Sequence, residues 1–255
     1  MRVSAVSYLN TCPLIWGMIH GPQTGALDLK FELPAECANS LESGGVDVGL
    51  VPVAELIRQG LEPVPGLGIA SDGPVRSIFL ISRTPIRKIR TLALDHSSRT
   101  SVALARIILA ERYGVVATET WSPPNITAML EQADAGLIIG DPALRLNPAD
   151  SGHEFLDLGS EWQALTQLPM VYAVWAGRPE RISDEVAEIF RHSYEYGGQN
   201  LQSIIERESA ARAFPESLVR EYLTSHIRYE LGDRHYQGMR EFMRMSRQNI
   251  PAACR

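Results

Sequence analysis

The chain has 255 residues, 45% hydrophobic and 21% charged, which is the composition of a globular protein with a sizeable core and not of a disordered one. The formal net charge is -6 with no run of Lys or Arg, so neither nucleic acid nor an anionic membrane is an expected partner. Cys12, Cys37 and Cys254 are far apart and lack C-x-x-C spacing, the six histidines are scattered, and no metal or other cofactor is implied.

No apolar segment approaches the length of a membrane span. Met1 to Asn10 lacks the apolar run and cleavage site of a signal peptide, so a cytoplasmic protein with reduced thiols is the expectation. Met1 to Ser7 reads as a strand, and Tyr8 to Trp16 turns into a helix with Pro13 in its first turn. Asn10 or Thr11 is the expected cap. Cys12, beside this turn, has no His near it in sequence and reads as an inert, packed thiol.

Leu41 to Val51 (L-E-S-G-G-V-D-V-G-L-V) resembles Leu130 to Ile138 (L-E-Q-A-D-A-G-L-I), which has two residues fewer. Each follows a polar turn by about 35 residues, the size of a βαβ unit. Pro63 to Gly68 reads as loop, Arg76 to Ser82 as an apolar strand, and Arg83 to Lys88 as a crossover.

Thr91 to Leu94 suits a buried strand; a polar turn follows, and Leu104, Ile107 and Ile108 then fall on one helix face. The turn therefore sits at a helix N-terminus. There, unpaired N–H groups and the helix dipole favour an anion, and Ser97, Ser98, Thr100 and Ser101 add hydroxyls. Arg99 opposes the dipole, so a ligand or an acid such as Asp95 is expected beside it. An ordinary Ser cap fits the same residues.

Ile126 to Gln132 reads as a helix and Pro169 to Trp175 as a returning strand, with Trp121, Trp162 and Trp175 expected in the core. Ser183 begins a helix that Gly197-Gly198 should stop; Phe214-Pro215-Glu216-Ser217 and Gly232-Asp233 start two more. The repeat predicts two similar α/β lobes. Residues 1–85 plus 176–255, with the C-terminal helices, form lobe one, and residues 86–175 form lobe two. Ligands of open α/β sheets bind beyond the carboxyl ends of the strands, so both polar turns are expected on a single cleft between the lobes.

Standard catalytic patterns are missing: there is no G-x-S-x-G elbow, no P-loop, and Gly66 to Gly73 does not fit G-x-G-x-x-G. On pattern alone Asn10 reads as a helix cap and Ser77 as a satisfied strand hydroxyl.

Five segments, however, resemble those of one family: S-Y-L-N-T-C-P-L (Ser7 to Leu14), D-G-P-V-R-S (Asp72 to Ser77), S-S-R-T-S-V-A-L (Ser97 to Leu104), L-I-I-G-D-P-A-L (Leu137 to Leu144) and D-L-G-S-E-W…L-P-M-V-Y-A-V-W (Asp157 to Trp175). The likeness is to the chorismate dehydratases of the futalosine route to menaquinone, the MqnA family, and spans about residues 3 to 176. It implies a two-lobed type II periplasmic-binding-protein-like α/β fold with a ligand cleft and a helical C-terminal tail. It also implies a carbon–oxygen lyase that dehydrates chorismate to 3-[(1-carboxyvinyl)oxy]benzoate, without a cofactor.

The family's catalytic Asn and Ser fall on Asn10 and Ser77. Tyr8, Thr11, Val53, Ser98, Arg99, Thr100, Ser101, Gly140 and Asp141 are the expected substrate-binding residues. Chorismate carries two carboxylates; four or five charge-assisted hydrogen bonds of roughly 1.5–3 kcal/mol each would cover the ~8 kcal/mol of micromolar binding and the cost of association. None of the motifs offers a His or Glu base, so the substrate's own enolpyruvyl carboxylate is the expected base. The sibling 1,4-dihydroxy-6-naphthoate synthases carry a His base where Gly140 stands here, which argues against that activity. A non-catalytic receptor for small carboxylates is the reading from a different class.

Overall fold

The computed structural model describes residues 1–95, 97–148 and 152–248. In chain order the elements are β1 (Arg2–Val6), α1 (Cys12–His20), β2 (Asp28–Glu32), α2 (Pro34–Glu42), β3 (Val48–Pro52), α3 (Ala54–Gln59), β4 (Glu62–Ser71) and β5 (Ile78–Ser82). There follow β6 (Thr91–Asp95), α4 (Arg99–Tyr113), β7 (Thr118–Ser122), α5 (Ile126–Gln132), β8 (Ala135–Ile139), α6 (Gly140–Leu144), β9 (Glu154–Asp157), α7 (Leu158–Thr166) and β10 (Met170–Gly177). The chain closes with α8 (Asp184–Gln199), α9 (Leu201–Arg212), α10 (Glu216–Glu221), β11 (Arg228–Glu230) and α11 (Asp233–Gln248).

Two compact units result, Met1–Ala70 with Val171–Gly232, and Ser71–Met170 with the segment from Asp233. The first holds a six-stranded sheet in the order β11-β4-β10-β3-β1-β2, and the second a five-stranded sheet in the order β7-β6-β8-β5-β9. In the first, β1 runs parallel to β2 and β3 while β10 is antiparallel to β3. In the second, β6 runs parallel to β7 and β8 while β5 is antiparallel to β8 and β9. The repeat read from the sequence is thus physical: β1-α1-β2-α2-β3 and β6-α4-β7-α5-β8 are the same parallel module.

The D-x-G-L matches have a structural cause. Asp47 accepts from the Arg2 N–H at 2.9 Å, and Asp134 accepts from the N–H groups of Arg90 (2.9 Å) and Thr91 (3.1 Å). Each carboxylate clips the start of the neighbouring strand; the Arg2 guanidinium, ahead of the Arg2 N–H, holds Asp47 below the usual carboxylate range, and the Arg90 and Thr91 N–H groups hold Asp134 below it. The glycine two residues on lets the crossover helix approach. A Cβ on Gly136 would meet Met129 Cβ at 3.0 Å, and one on Gly49 would meet Leu41 Cδ1 at 3.2 Å.

Several boundaries differ from the sequence expectation. Residues 71–85 belong to the second unit, because β5 finds its partners in β8 and β9. Residues 171–175 belong to the first, because β10 pairs with β3. The helices α8 to α10 stay with the first unit, but α11 does not. Gly238 lies so near the Pro169 carbonyl that a Cβ would be 2.0 Å from its oxygen, and Phe242 stacks edge-on against the buried Trp162 at 6.1 Å.

Pro63 to Gly68 is strand and not loop. The pairing of β4 with β11 shifts register between Leu67 and Ala70, and within that stretch bare Gly68 admits the Ala173 carbonyl of β10. Gly197 and Gly198 do not end α8, which runs on to Gln199. Gly197 is instead where α8 crosses α1: a Cβ there would be 2.1 Å from the Pro13 oxygen, and one on Gly17 would be 2.5 Å from Ser193 Cα. Ser193 Oγ seals the crossing by donating to the Leu14 carbonyl and accepting from the Met18 N–H. Trp162 and Trp175 are buried, but Trp121 is half-exposed because β7 is an edge strand. Among the described residues, no helix is long and apolar enough to cross a membrane.

Candidate functional site

In the first unit the candidates lie at the carboxyl end of β1. The chain leaves the strand at Ser7, makes one tight helical turn over Leu9–Thr11, and enters α1 with Pro13 in its first turn. Contrary to expectation, neither Asn10 nor Thr11 caps α1 through its side chain: Thr11 stands at the cap position with helical dihedrals (φ -83°, ψ -25°), which is not the extended backbone from which a capping oxygen reaches forward.

Asn10 instead donates through Nδ2 to Tyr222 Oη at 3.0 Å, while its Oδ1 is buried without a hydrogen-bond partner among the described residues. A phenol both donates and accepts, so the amide can turn over and keep this bond. In either orientation one of its polar atoms is left over. Thr11 is wholly buried, and its Oγ1 also has no partner.

Tyr8, in the same turn, lines a cavity of about 320 Å³ together with Ser7, Cys12, Trp16, Arg207 and Arg212; Asn10 does not line it. Val53 is fully buried and its N–H is bonded to the Tyr172 carbonyl at 3.1 Å. That amide is therefore already used within the first sheet.

Cys12 is buried, with an Arg212 guanidinium N–H 3.8 Å from its sulfur. Burial pushes the Cys37 thiol up to about 12 although Ser4 Oγ donates to it at 3.0 Å, so it is a packed hydrophobe and not a nucleophile. Cys254 lies outside the described residues.

In the second unit, the pairing of β5 with β8 sets Ile78 opposite Ile139 and so brings Ser77 beside Gly140. The Gly140 N–H donates to the Ser77 carbonyl at 2.8 Å, and Ser77 is buried. Gly140 has φ +65°, so a side chain there would strain the backbone; Asp141 follows, half-buried, in the first turn of α6.

At the start of α4, Ser97, Ser98, Thr100 and Ser101 are all buried and Arg99 is half-buried. Ser98 is the cap: its Oγ accepts from the Ser101 N–H at 3.2 Å and donates to Ser101 Oγ at 2.8 Å. These two hydroxyls thus serve the helix start and each other. Asp95 Oδ1 accepts from the Ser97 N–H at 2.8 Å, while its Oδ2 is buried without a partner.

Each unit thus carries a cluster at the carboxyl end of the middle strand of its parallel module. A family model described as menaquinone biosynthesis matches residues 1–248. The chain belongs to that family. It is 28% identical over 253 residues to chorismate dehydratase from Thermus thermophilus, an alignment covering 92% of this chain and 91% of that protein.

Among solved structures, a protein from Archaeoglobus fulgidus matches with a TM-score of 0.77 at 18% identity, covering 97% of this chain and 96% of that one. The periplasmic aliphatic sulphonate binding protein of Escherichia coli matches with a TM-score of 0.68 at 14% identity, covering 98% and 92%. The fold of this menaquinone biosynthesis protein is thus periplasmic-binding-protein-like. Sequence reading overlooked one residue of its second cluster, Asp157. A helix-cap acid 80 residues downstream gives no hint that it also grips the loop before Ser77.

Proposed function

We propose that the protein is a carbon–oxygen lyase that dehydrates chorismate to 3-[(1-carboxyvinyl)oxy]benzoate. Membership of the menaquinone biosynthesis family and the likeness to a chorismate dehydratase support the reading. The observation that carries it is the turn after β1, where Asn10 and Thr11 each keep a buried side-chain atom without a partner although neither caps the helix. A buried polar atom left unpaired costs about 1–3 kcal/mol, and a turn that retains two is built for a guest that will pair with them.

In the proposed step the electron pair of the C3–H bond becomes a ring π-bond, the C4–O bond breaks, and the departing hydroxide is protonated to water. Aromatisation supplies the driving force. The enolpyruvyl carboxylate of the substrate takes the C3 proton and passes it to the departing hydroxide. Asn10 orients that carboxylate by hydrogen bonding, and Ser77 stabilises the charge that develops as the C4 hydroxyl leaves. Thr11, Tyr8, Thr100, Arg99 and Asp141 contribute to binding, and Ser98 and Ser101 hold the start of α4 so that its dipole can face a carboxylate.

The glycine at 140, in left-handed backbone, supports this chemistry over that of the sibling naphthoate synthases, which need a His base there. The test is direct. Purified protein is incubated with chorismate and the products are separated by chromatography and identified by mass. Loss of one water with appearance of a benzoate absorbance is the expected outcome. Binding of chorismate without turnover would make the protein a carboxylate receptor instead.

A further inference from the structure

We propose that Asp157 is a positioning residue for the reaction, acting on Ser77 through the backbone of Arg76; the inference rests on the assignment of Ser77 to the dehydration. The link between β4 and β5 is irregular, and two of its residues have left-handed backbone, Gly73 at φ +111° and Arg76 at φ +64°. Glycine adopts such a conformation freely, whereas an arginine holds it only if its surroundings insist. Here a carboxylate grips the backbone of that turn. Asp157 Oδ2 accepts from the Arg76 N–H at 2.7 Å, and both of its oxygens accept from the Val75 N–H, at 3.0 and 3.1 Å.

The same carboxylate caps α7, with Oδ1 accepting from the N–H groups of Gly159 and Ser160 at 3.0 Å each. Four N–H groups thus converge on Asp157, two from the loop and two from the helix. Its backbone is fixed in turn by the pairing of β9 with β5, which sets it opposite Phe79. Arg76 is also held from its far end. Its guanidinium donates to the Leu146 carbonyl at 2.8 Å and to that of Ala143 at 3.5 Å, and lies over the Phe79 ring at 5.5 Å.

Ser77 is the next residue. Were Arg76 to relax to the ordinary right-handed region, the peptide between them would turn and carry the Ser77 side chain with it. A carboxylate is needed for the grip because it presents only acceptors. An Asn at 157 would offer one oxygen and point its own N–H groups at the donors.

The experiment uses Asp157→Asn and Asp157→Ser in the full chain. Both substitutes are good helix caps, and serine is too short to reach the loop, so α7 stays capped while the loop is released. The expected result is a fall in kcat of about 10- to 100-fold in each variant with KM nearly unchanged, the size of effect that misplacement of a reacting group produces. Combining either change with Ser77→Ala should slow the enzyme no further than Ser77→Ala alone, since Asp157 acts only through that hydroxyl. Unchanged kcat in the folded variants, or multiplication of the two effects in the double variant, overturns the inference. If Ser77→Ala itself leaves turnover intact, the functional assignment of Ser77 has failed, and the crystal structure of Asp157→Ser then decides the geometric claim. Arg76 leaving its left-handed backbone with Ser77 displaced upholds the clamp, and an unmoved loop refutes it.

Discussion

Replacing Asn10 with alanine separates catalysis from folding more sharply than any other single change in this protein. Asn10 makes one hydrogen bond, to Tyr222, and keeps one buried polar atom unpaired. Truncation to alanine loses a neutral bond worth about 0.5–1.5 kcal/mol, but also removes an unsatisfied group whose burial costs about 1–3 kcal/mol. The two nearly cancel, so stability should change by no more than about 1 kcal/mol in either direction, or roughly 2–4 °C in Tm. Catalysis has no such compensation. If the amide orients the substrate carboxylate that takes the C3 proton, kcat should fall about 10²-fold, equivalent to about 2.7 kcal/mol of transition-state binding. Chromatographic kinetics on chorismate and a thermal melt of the same preparation provide both numbers. A variant that turns over within twofold of the parent while its Tm drops well beyond 4 °C would show Asn10 to be a structural tether, and the proposed chemistry would go with it.

Other consequences are briefer. Gly197→Ala should destabilise the first unit by about 1–3 kcal/mol or more, because its Cβ would collide with the Pro13 oxygen and neither helix can yield alone; denaturant unfolding measures it. Asp134→Asn should cost about 1–2 kcal/mol at pH 7, given the two N–H groups its carboxylate holds. A carboxylate held below its usual range stabilises the fold above the unfolded pKa of about 3.9 and ceases to as pH falls through the folded value, so the gap between variant and parent should close in acid melts below about pH 4. A gap of constant size down to pH 2 would contradict this. Finally, Cys37 should resist iodoacetamide at pH 8 in the native protein and react once denatured, as peptide mapping of that residue would reveal.

Much of this was open to reading from the sequence, and the boundary between what was and was not is a physical one. Strands, crossover helices and the duplicated module follow from local alternation and spacing, and the Ser98 and Ser183 caps from the few side chains able to hold a helix start. What escaped depended on distant partners. Gly197 looks like a helix stop until Pro13 is seen beside it, and Pro63 to Gly68 looks like loop until β10 and β11 flank it. The unit boundary moved from residue 85 to residue 70 because pairing between β5 and β8, whose partners are 53 to 61 residues apart, outweighs the local turn signal of Arg83 to Lys88. At the site, residue types predicted Asn10 and Thr11 as caps. Only the backbone angles at Thr11 free those two side chains for another task.

The duplicated modules also explain why the chain's internal similarity is strongest away from the proposed site. In both, the matching D-x-G-L segment does its work at the amino end of the strands, where Asp47 and Asp134 clip their neighbours, and at the glycines beneath the crossover helices. These demands are the same for any parallel module, so both copies answer them with the same residues. The opposite, carboxyl ends carry no such shared demand and have diverged: Tyr8 to Thr11 forms a tight turn without a side-chain cap, whereas at the start of α4 Ser98 caps the helix through its side chain. A scaffold fixed at one end of its strands leaves the other end free to change. Substitutions at Asp47 or Asp134 should therefore lower Tm while leaving the KM for chorismate near that of the parent, and a large rise in KM at unchanged Tm in either variant would show that the two ends are not independent.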